Sequence, residues 1–157
     1  MKIILLTVGK TADRLILPLI DRYIDRLAHI APFEYKVLSD VRVPQNAGTE
    51  KQKELEGAQF LQTVRPGDVV ILLDERGKTE TSRQFATRLD KLMANTRGNI
   101  IFIIGGPYGF SKEIYDRANG MLSLSVMTMT HEMARYFFTE QLYRAFAILR
   151  GLPYHHD

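Results

Sequence analysis

The chain contains no cysteine, which excludes disulfides, thiolate-bound zinc, iron–sulfur clusters and cysteine nucleophiles before any motif is read. Long apolar runs are also missing. The first, Ile3 to Val8, is too short to span a membrane, and charged residues follow where a signal peptide would need its cleavage site, so a cytoplasmic protein with no membrane partner is expected. Histidine is scarce, at 4 residues, and two of these are the neighbours His155 and His156. Adjacent side chains point apart unless the backbone bends, and no carboxylate cluster or third histidine is suitably spaced, so no metal site is expected. There is no P-loop, no dinucleotide fingerprint and no Gly-x-Ser-x-Gly elbow, which counts against phosphate-binding α/β enzymes and serine hydrolases. Repeats, linkers and low-complexity tracts are absent.

What is present is the balance of a folded protein, with 45% hydrophobic and 25% charged residues. The 157 residues suit one domain, taken as residues 1–157. Lys and Arg number 21 against 18 Asp and Glu, a formal charge of +3. That mild excess suits a phosphate-rich partner but does not require one.

Five short β-rich runs stand out: Lys2–Val8, Phe33–Leu38, Asp68–Leu73, Asn99–Gly105 and Met121–Ser125. Val69 to Leu73 and Ile100 to Ile104 are continuously apolar, as parallel strands covered on both faces must be. Segments of helical spacing separate the runs. Thr81 with Gln84 forms a capping box ahead of Phe85, Leu89 and Leu92, and Thr49 with Gln52 forms a second. The stretch Ser39 to Gly48 has no period and is expected to be a surface loop. A last helix over His131 to Arg150 is expected to bury Ala134, Phe137, Phe138, Gln141, Leu142, Ala145 and Leu149 and to expose Arg135, Glu140 and Arg144. Alternating strands and helices predict an α/β fold, a parallel-rich sheet with helices on both faces.

In such a sheet ligands collect at the carboxyl ends of strands. One end is Leu73-Asp74-Glu75-Arg76-Gly77-Lys78, which equally suits an ordinary strand exit with Asp74 and Glu75 solvated or paired to Arg76 and Lys78. A second is Gly105-Gly106-Pro107-Tyr108-Gly109, followed by Ser111 as an expected helix cap. Its glycines permit close approach of a ligand, although Pro107 removes an amide donor and a plain glycine-rich turn explains it as well. The third is Leu122 to His131, an uncharged run of small polar and apolar side chains that suits an adenine ring and a thioether. On the bland account Met127 and Met129 fill the core and Thr130 caps a helix. The closing Pro153-Tyr154-His155-His156-Asp157 is otherwise an ordinary fraying terminus.

Taken in order, Ile104-Gly105-Gly106, the Leu122 to Thr128 loop ahead of His131, Glu140-Gln141-Leu142-Tyr143-Arg144-Ala145, and Pro153-Tyr154-His155 resemble the ribosomal RNA large subunit methyltransferase H family, a small branch of the SPOUT class. The resemblance runs the length of the chain. It departs at Thr128-Met129-Thr130-His131, where the family usually has Thr-Phe-Pro-His.

The resemblance implies a SPOUT-type fold with a C-terminal trefoil knot, and S-adenosyl-L-methionine as cofactor. It places that cofactor against Leu73, Gly105 and Leu124, Ser125, Val126, Met127, Thr128 and Met129. It further implies a homodimer acting on 23S ribosomal RNA, in assembled ribosomes, at N3 of a pseudouridine. N3 carries a proton that must leave. On this reading Arg144 stabilises negative charge on the base, His155 accepts the proton and Tyr154 stacks on or hydrogen-bonds the base. Without the resemblance, Arg144 is an ordinary surface partner of Glu140. Arg14, Arg22 and Arg26 are candidate phosphate contacts, or solvated helix charges. The rival function is a non-catalytic RNA-binding or ribosome-binding module of the same fold.

Overall fold

The computed structural model describes all 157 residues. In chain order the elements are β1 (Ile3–Val8), α1 (Leu17–Ile30), β2 (Phe33–Leu38), α2 (Gly48–Thr63), β3 (Val69–Thr79), α3 (Ser82–Asn95), β4 (Ile100–Ile103), α4 (Lys112–Arg117), β5 (Gly120–Ser123) and α5 (His131–Leu149). The five strands form one sheet in the order β2-β1-β4-β3-β5, and every pairing is parallel.

The continuous apolar strands are explained by helices on both faces. Along β1 and β4 the alternating side chains Ile3, Leu5, Ile100 and Phe102 join a core with Leu27, Phe85, Leu89, Phe138, Leu142 and Phe146, contributed by α1, α3 and α5. The intervening Ile4, Leu6, Val8, Ile101 and Ile103 meet Phe60, Phe110 and Ile114 beneath α2 and α4. Phe102 and Phe138 stack with ring centroids 4.8 Å apart, so truncating either removes one of the larger contributions to stability, about 3–5 kcal/mol.

The Thr81–Gln84 capping box forms, with Gln84 N–H donating to Thr81 Oγ1 and Thr81 N–H to Gln84 Oε1. The Thr49–Gln52 box does not. Helix α2 begins at Gly48, two residues earlier than a cap at Thr49 requires, so Thr49 already lies inside its first turn, and the side chain of Gln52 donates to Glu56 instead. Ser111 stands at the start of α4 but makes no capping bond, because its hydroxyl is turned into the interior against Gly57.

Two boundaries shift. Strand β3 runs on to Thr79 as an interrupted strand, since Leu122 pairs with both Leu73 and Lys78 and residues 74–77 bulge out between them. Strand β5 ends at Ser123. On α5 the buried stripe is Arg135, Phe138, Thr139, Leu142, Ala145, Phe146 and Ala147, so the expected face is rotated. Phe137 and Leu149 are 37% and 38% exposed and Arg135 only 1%. Arg135 is the residue that sequence reasoning put on the wrong side, and it pairs with backbone carbonyls rather than with water.

Candidate functional site

Because β4, β3 and β5 are neighbours, their carboxyl-end loops converge on one cleft of about 1100 Å³. Its walls are the β3 bulge, the glycine-rich loop after β4 and the segment from Ser123 to Thr130. The start of α5, with His131, Glu132 and Ala134, and Asp13 and Ile16 of the β1–α1 loop close it. Leu73, Gly105, Leu124, Ser125, Met127, Thr128 and Met129 all line this cleft. Val126 stands apart from the lining, projecting outward at 90% exposure.

Each wall is held by local chemistry. In the bulge, Asp74 accepts the backbone N–H of Arg76 at 2.8 Å and the phenol of Tyr115. The charges there therefore do not pair with one another as at a plain strand exit. Burial, reinforced by the bond to Asp74, pushes the Tyr115 phenol up to about 12, and Arg76 sits 5.3 Å from the centre of its ring. Gly77 passes close under Leu122, where a Cβ would lie 2.7 Å from the Leu122 backbone nitrogen.

In the glycine-rich loop a Cβ on Gly105 would lie 3.2 Å from the Phe110 ring, and one on Gly106 would strike the buried carboxylate of Glu56 at 2.5 Å. Packing against Phe110 and Glu56 thus requires glycine at both positions, and both line the cleft as bare backbone. In the third wall Ser123 Oγ donates to the Ser125 carbonyl, and Ser125 Oγ accepts from Met127 N–H, both at 2.9 Å. Met127 is 77% exposed, so it does not fill the core. Thr130 caps α5 by accepting the N–H of Met133 at 3.2 Å.

The closing residues are ordered on α5. Arg144 Nη2 donates to Glu140 Oε1 at 2.5 Å, and its Nη1 lies 3.2 Å from His155 Nδ1. The guanidinium carbon is 4.9 Å from the centre of the Tyr154 ring. The Tyr154 hydroxyl donates to Glu140 at 3.0 Å and lies 2.9 Å from the Tyr23 hydroxyl. The bond to Glu140 raises the Arg144 guanidinium further above its ordinary value, and burial pushes the Tyr154 phenol up. His155 Nε2 lies 3.0 Å from Asp157 Oδ1, and Asp157 also takes a two-pronged bond from Arg83 of α3. Those hydrogen bonds, Arg83 first, hold the Asp157 carboxyl down at about 2.

Arg144, Tyr154 and His155 are thus brought together, but none of them lines the cleft. The cleft touches α5 at His131 to Ala134; at 1.5 Å per residue, Arg144 lies roughly 15–20 Å further along the helix. Of the candidate phosphate contacts, Arg14 and Arg22 are exposed, and Arg26 packs over the rings of Tyr23 and Tyr143 at 5.2 and 5.6 Å. No group of three or more His, Cys, Asp or Glu is placed to hold a metal, and no helix is long and apolar enough to cross a membrane.

Asp13, Ile16, Glu132 and Tyr115 belong to the site or its support and were missed. Their sequence neighbourhoods carry no signature, since only the chain's return brings them to the cleft. Arg135 did carry one: it falls at helical spacing with Phe138 and Leu142.

A family model described as "Predicted SPOUT methyltransferase" matches residues 1–155. Among curated relatives, a protein of Parabacteroides distasonis is 45% identical and one of Porphyromonas gingivalis 46% identical, each over 157 residues and the whole of both chains. A protein of Christiangramia forsetii is 47% identical over 156 residues, 99% of each chain. All three carry the name "Ribosomal RNA large subunit methyltransferase H".

Proposed function

Because the chain belongs to the SPOUT methyltransferase family, we propose that it transfers a methyl group from S-adenosyl-L-methionine to N3 of a pseudouridine in 23S ribosomal RNA. The relatives are named for large-subunit ribosomal RNA; N3, the pseudouridine and the assembled ribosome come from the family resemblance. The observation that carries the cofactor reading is the cleft, where an uncharged run from Leu124 to Thr130 faces bare backbone at Gly105 and Gly106. This lining fits an adenosyl group and a thioether side chain. When bound, the cofactor supplies an electrophilic methyl group to an in-line nucleophile.

The protein's own part is to orient the base, stabilise the anion it becomes and take its proton. Arg144 is suited to the second task and His155 to the third, with Tyr154 against the base. The separation of Arg144 from the cleft, roughly 15–20 Å along α5, supports a site that one chain does not complete. We place Arg144, Tyr154 and His155 of a second copy over the cleft of the first, in a homodimer. Val126, Met127 and Leu15, at 90%, 77% and 84% exposure, are apolar surface such a dimer would cover. A trefoil knot, with the final helix threaded through a loop, belongs to the same reading, as does action in the cytoplasm.

The experiment is calorimetric titration with S-adenosyl-L-methionine, repeated with Gly105→Trp. Wild-type binding, lost in the folded variant, is expected, followed by methyl transfer to large ribosomal subunits. A wild-type protein that bound ribosomes but no cofactor would instead be the non-catalytic module.

A further inference from the structure

The only fully buried charge on α5 is not among the residues that the proposed chemistry uses. Arg135 is 1% exposed, and none of its hydrogen bonds goes to a carboxylate. Its Nη2 donates to the Val8 carbonyl at 2.8 Å and its Nη1 to the Gly9 carbonyl at 2.7 Å, with Thr11 Oγ1 at 3.2 Å and the Tyr35 hydroxyl at 3.4 Å. Its Nε has no partner. A buried cation without a counter-charge is a costly way to fill a core, since an apolar side chain of similar size avoids the desolvation. What the guanidinium gives in return is geometry, because its rigid fork fixes two successive carbonyls at the end of β1.

One turn earlier, Glu132 makes the complementary grip. Its Oε1 accepts the backbone N–H of Ala12 and, at 3.4 Å, that of Asp13. Together the two side chains bind the β1–α1 loop, residues 9–16, from both sides: carbonyls at its start by Arg135, amides at its middle by Glu132. That loop supplies Asp13 and Ile16 to the cleft, with exposed Lys10 before them and exposed Arg14 between them. At the other end of the grip, the segment Leu124 to Thr130 lines the cleft and runs without a break into α5.

We propose that Arg135 and Glu132 are positioning residues that make the cofactor-lining segment and the basic β1–α1 loop move as one unit, so that filling the cleft strengthens the grip of Lys10 and Arg14 on the RNA backbone. This rests on the methyltransferase reading above. Ordering the segment orders the start of α5, and through the two grips it orders the loop. Phosphate contacts from a loop already held cost less entropy than contacts from one that must be fixed on binding. Linkage requires the reverse effect to be equal: RNA must tighten the cofactor by the same factor.

The test measures binding of large ribosomal subunits with and without saturating S-adenosylhomocysteine, which fills the cleft but transfers nothing. It compares wild type, Glu132→Ala and Arg135→Lys, with thermal melting to confirm folding. The readout is the ratio of the two affinities, which a change that weakens both alike leaves untouched. A wild-type ratio of at least about fivefold is expected, falling towards one in Glu132→Ala, with Lys10→Ala weakening the cofactor-bound complex more than the free one. If Arg135→Lys unfolds, Glu132→Ala carries the test, since Glu132 is only half-buried at the surface. A wild-type ratio of one, or a ratio unchanged in folded Glu132→Ala, overturns the coupling while leaving the methyltransferase reading intact. A wild type that binds no cofactor overturns both.

Discussion

At the scale of single residues, the site is built from groups whose partners lie far away in sequence. Tyr115 on α4 supports Asp74 in the β3 bulge, and its phenol is held at about 12 against an ordinary 10.0, mainly by burial. A phenol whose folded value is raised stabilises the fold fully below its unfolded value and loses that contribution as the pH climbs to the folded one. The urea midpoint of wild type should therefore exceed that of Tyr115→Phe by a constant margin up to about pH 9, and the margin should shrink between about 10 and 12. A margin independent of pH would mean that the fold does not hold the Tyr115 phenol above its ordinary value. None of this was legible beforehand, because Asp74 and Tyr115 are 41 residues apart and neither position has a telling neighbour. Arg135 was legible in principle: its spacing from Phe138 and Leu142 put it on the apolar stripe, and only its charge argued for the surface. Hydrogen bonds to strand-end carbonyls reversed that inference.

At the scale of elements, two similar sequence patterns separate into one real cap and one false one. Thr81–Gln84 closes reciprocally on the first turn of α3, whereas Thr49 lies inside α2 with no capping bond. Replacing Thr81 by Ala should lower the unfolding free energy by about 1 kcal/mol, while Thr49→Ala should stay within about 0.5 kcal/mol of wild type. Equal losses in chemical denaturation would contradict the assigned start of α2. The strands were legible because burial on both faces leaves no polar alternation, so Val69 to Leu73 and Ile100 to Ile104 announce themselves. The continuation of β3 to Thr79 was not. Asp74 to Lys78 looks like loop, and its return to the sheet depends on Gly77 passing where a Cβ would press on the Leu122 backbone. The positions expected to hold the cofactor came from the resemblance, and their convergence on one cleft follows from the adjacency of β4, β3 and β5, which no local pattern encodes.

At the scale of the whole molecule, the arrangement poses a problem of distance. The cleft lies at one end of α5 and the Arg144–Tyr154–His155 cluster towards the other, so a site made by two copies must take its cleft from one and its tail from the other. This can be tested by mixing two inactive variants, Gly105→Trp with the cleft filled and Arg144→Ala with the tail disarmed. In a dimer of one copy of each, the Arg144→Ala chain still supplies a cleft and the Gly105→Trp chain still supplies a tail, so one of the two composite sites is whole. Random exchange makes half of the dimers mixed, and the mixture should recover about a quarter of wild-type methyl transfer. A site completed within one chain gives the opposite result, because every chain then carries one defect and the mixture stays inactive. The recovered activity should also fall on dilution below the dimer's dissociation constant. Mixing variants defective in the same part, Gly105→Trp with Ser125→Trp, should restore nothing at any concentration, which separates a shared site from simple mutual stabilisation of weakened folds.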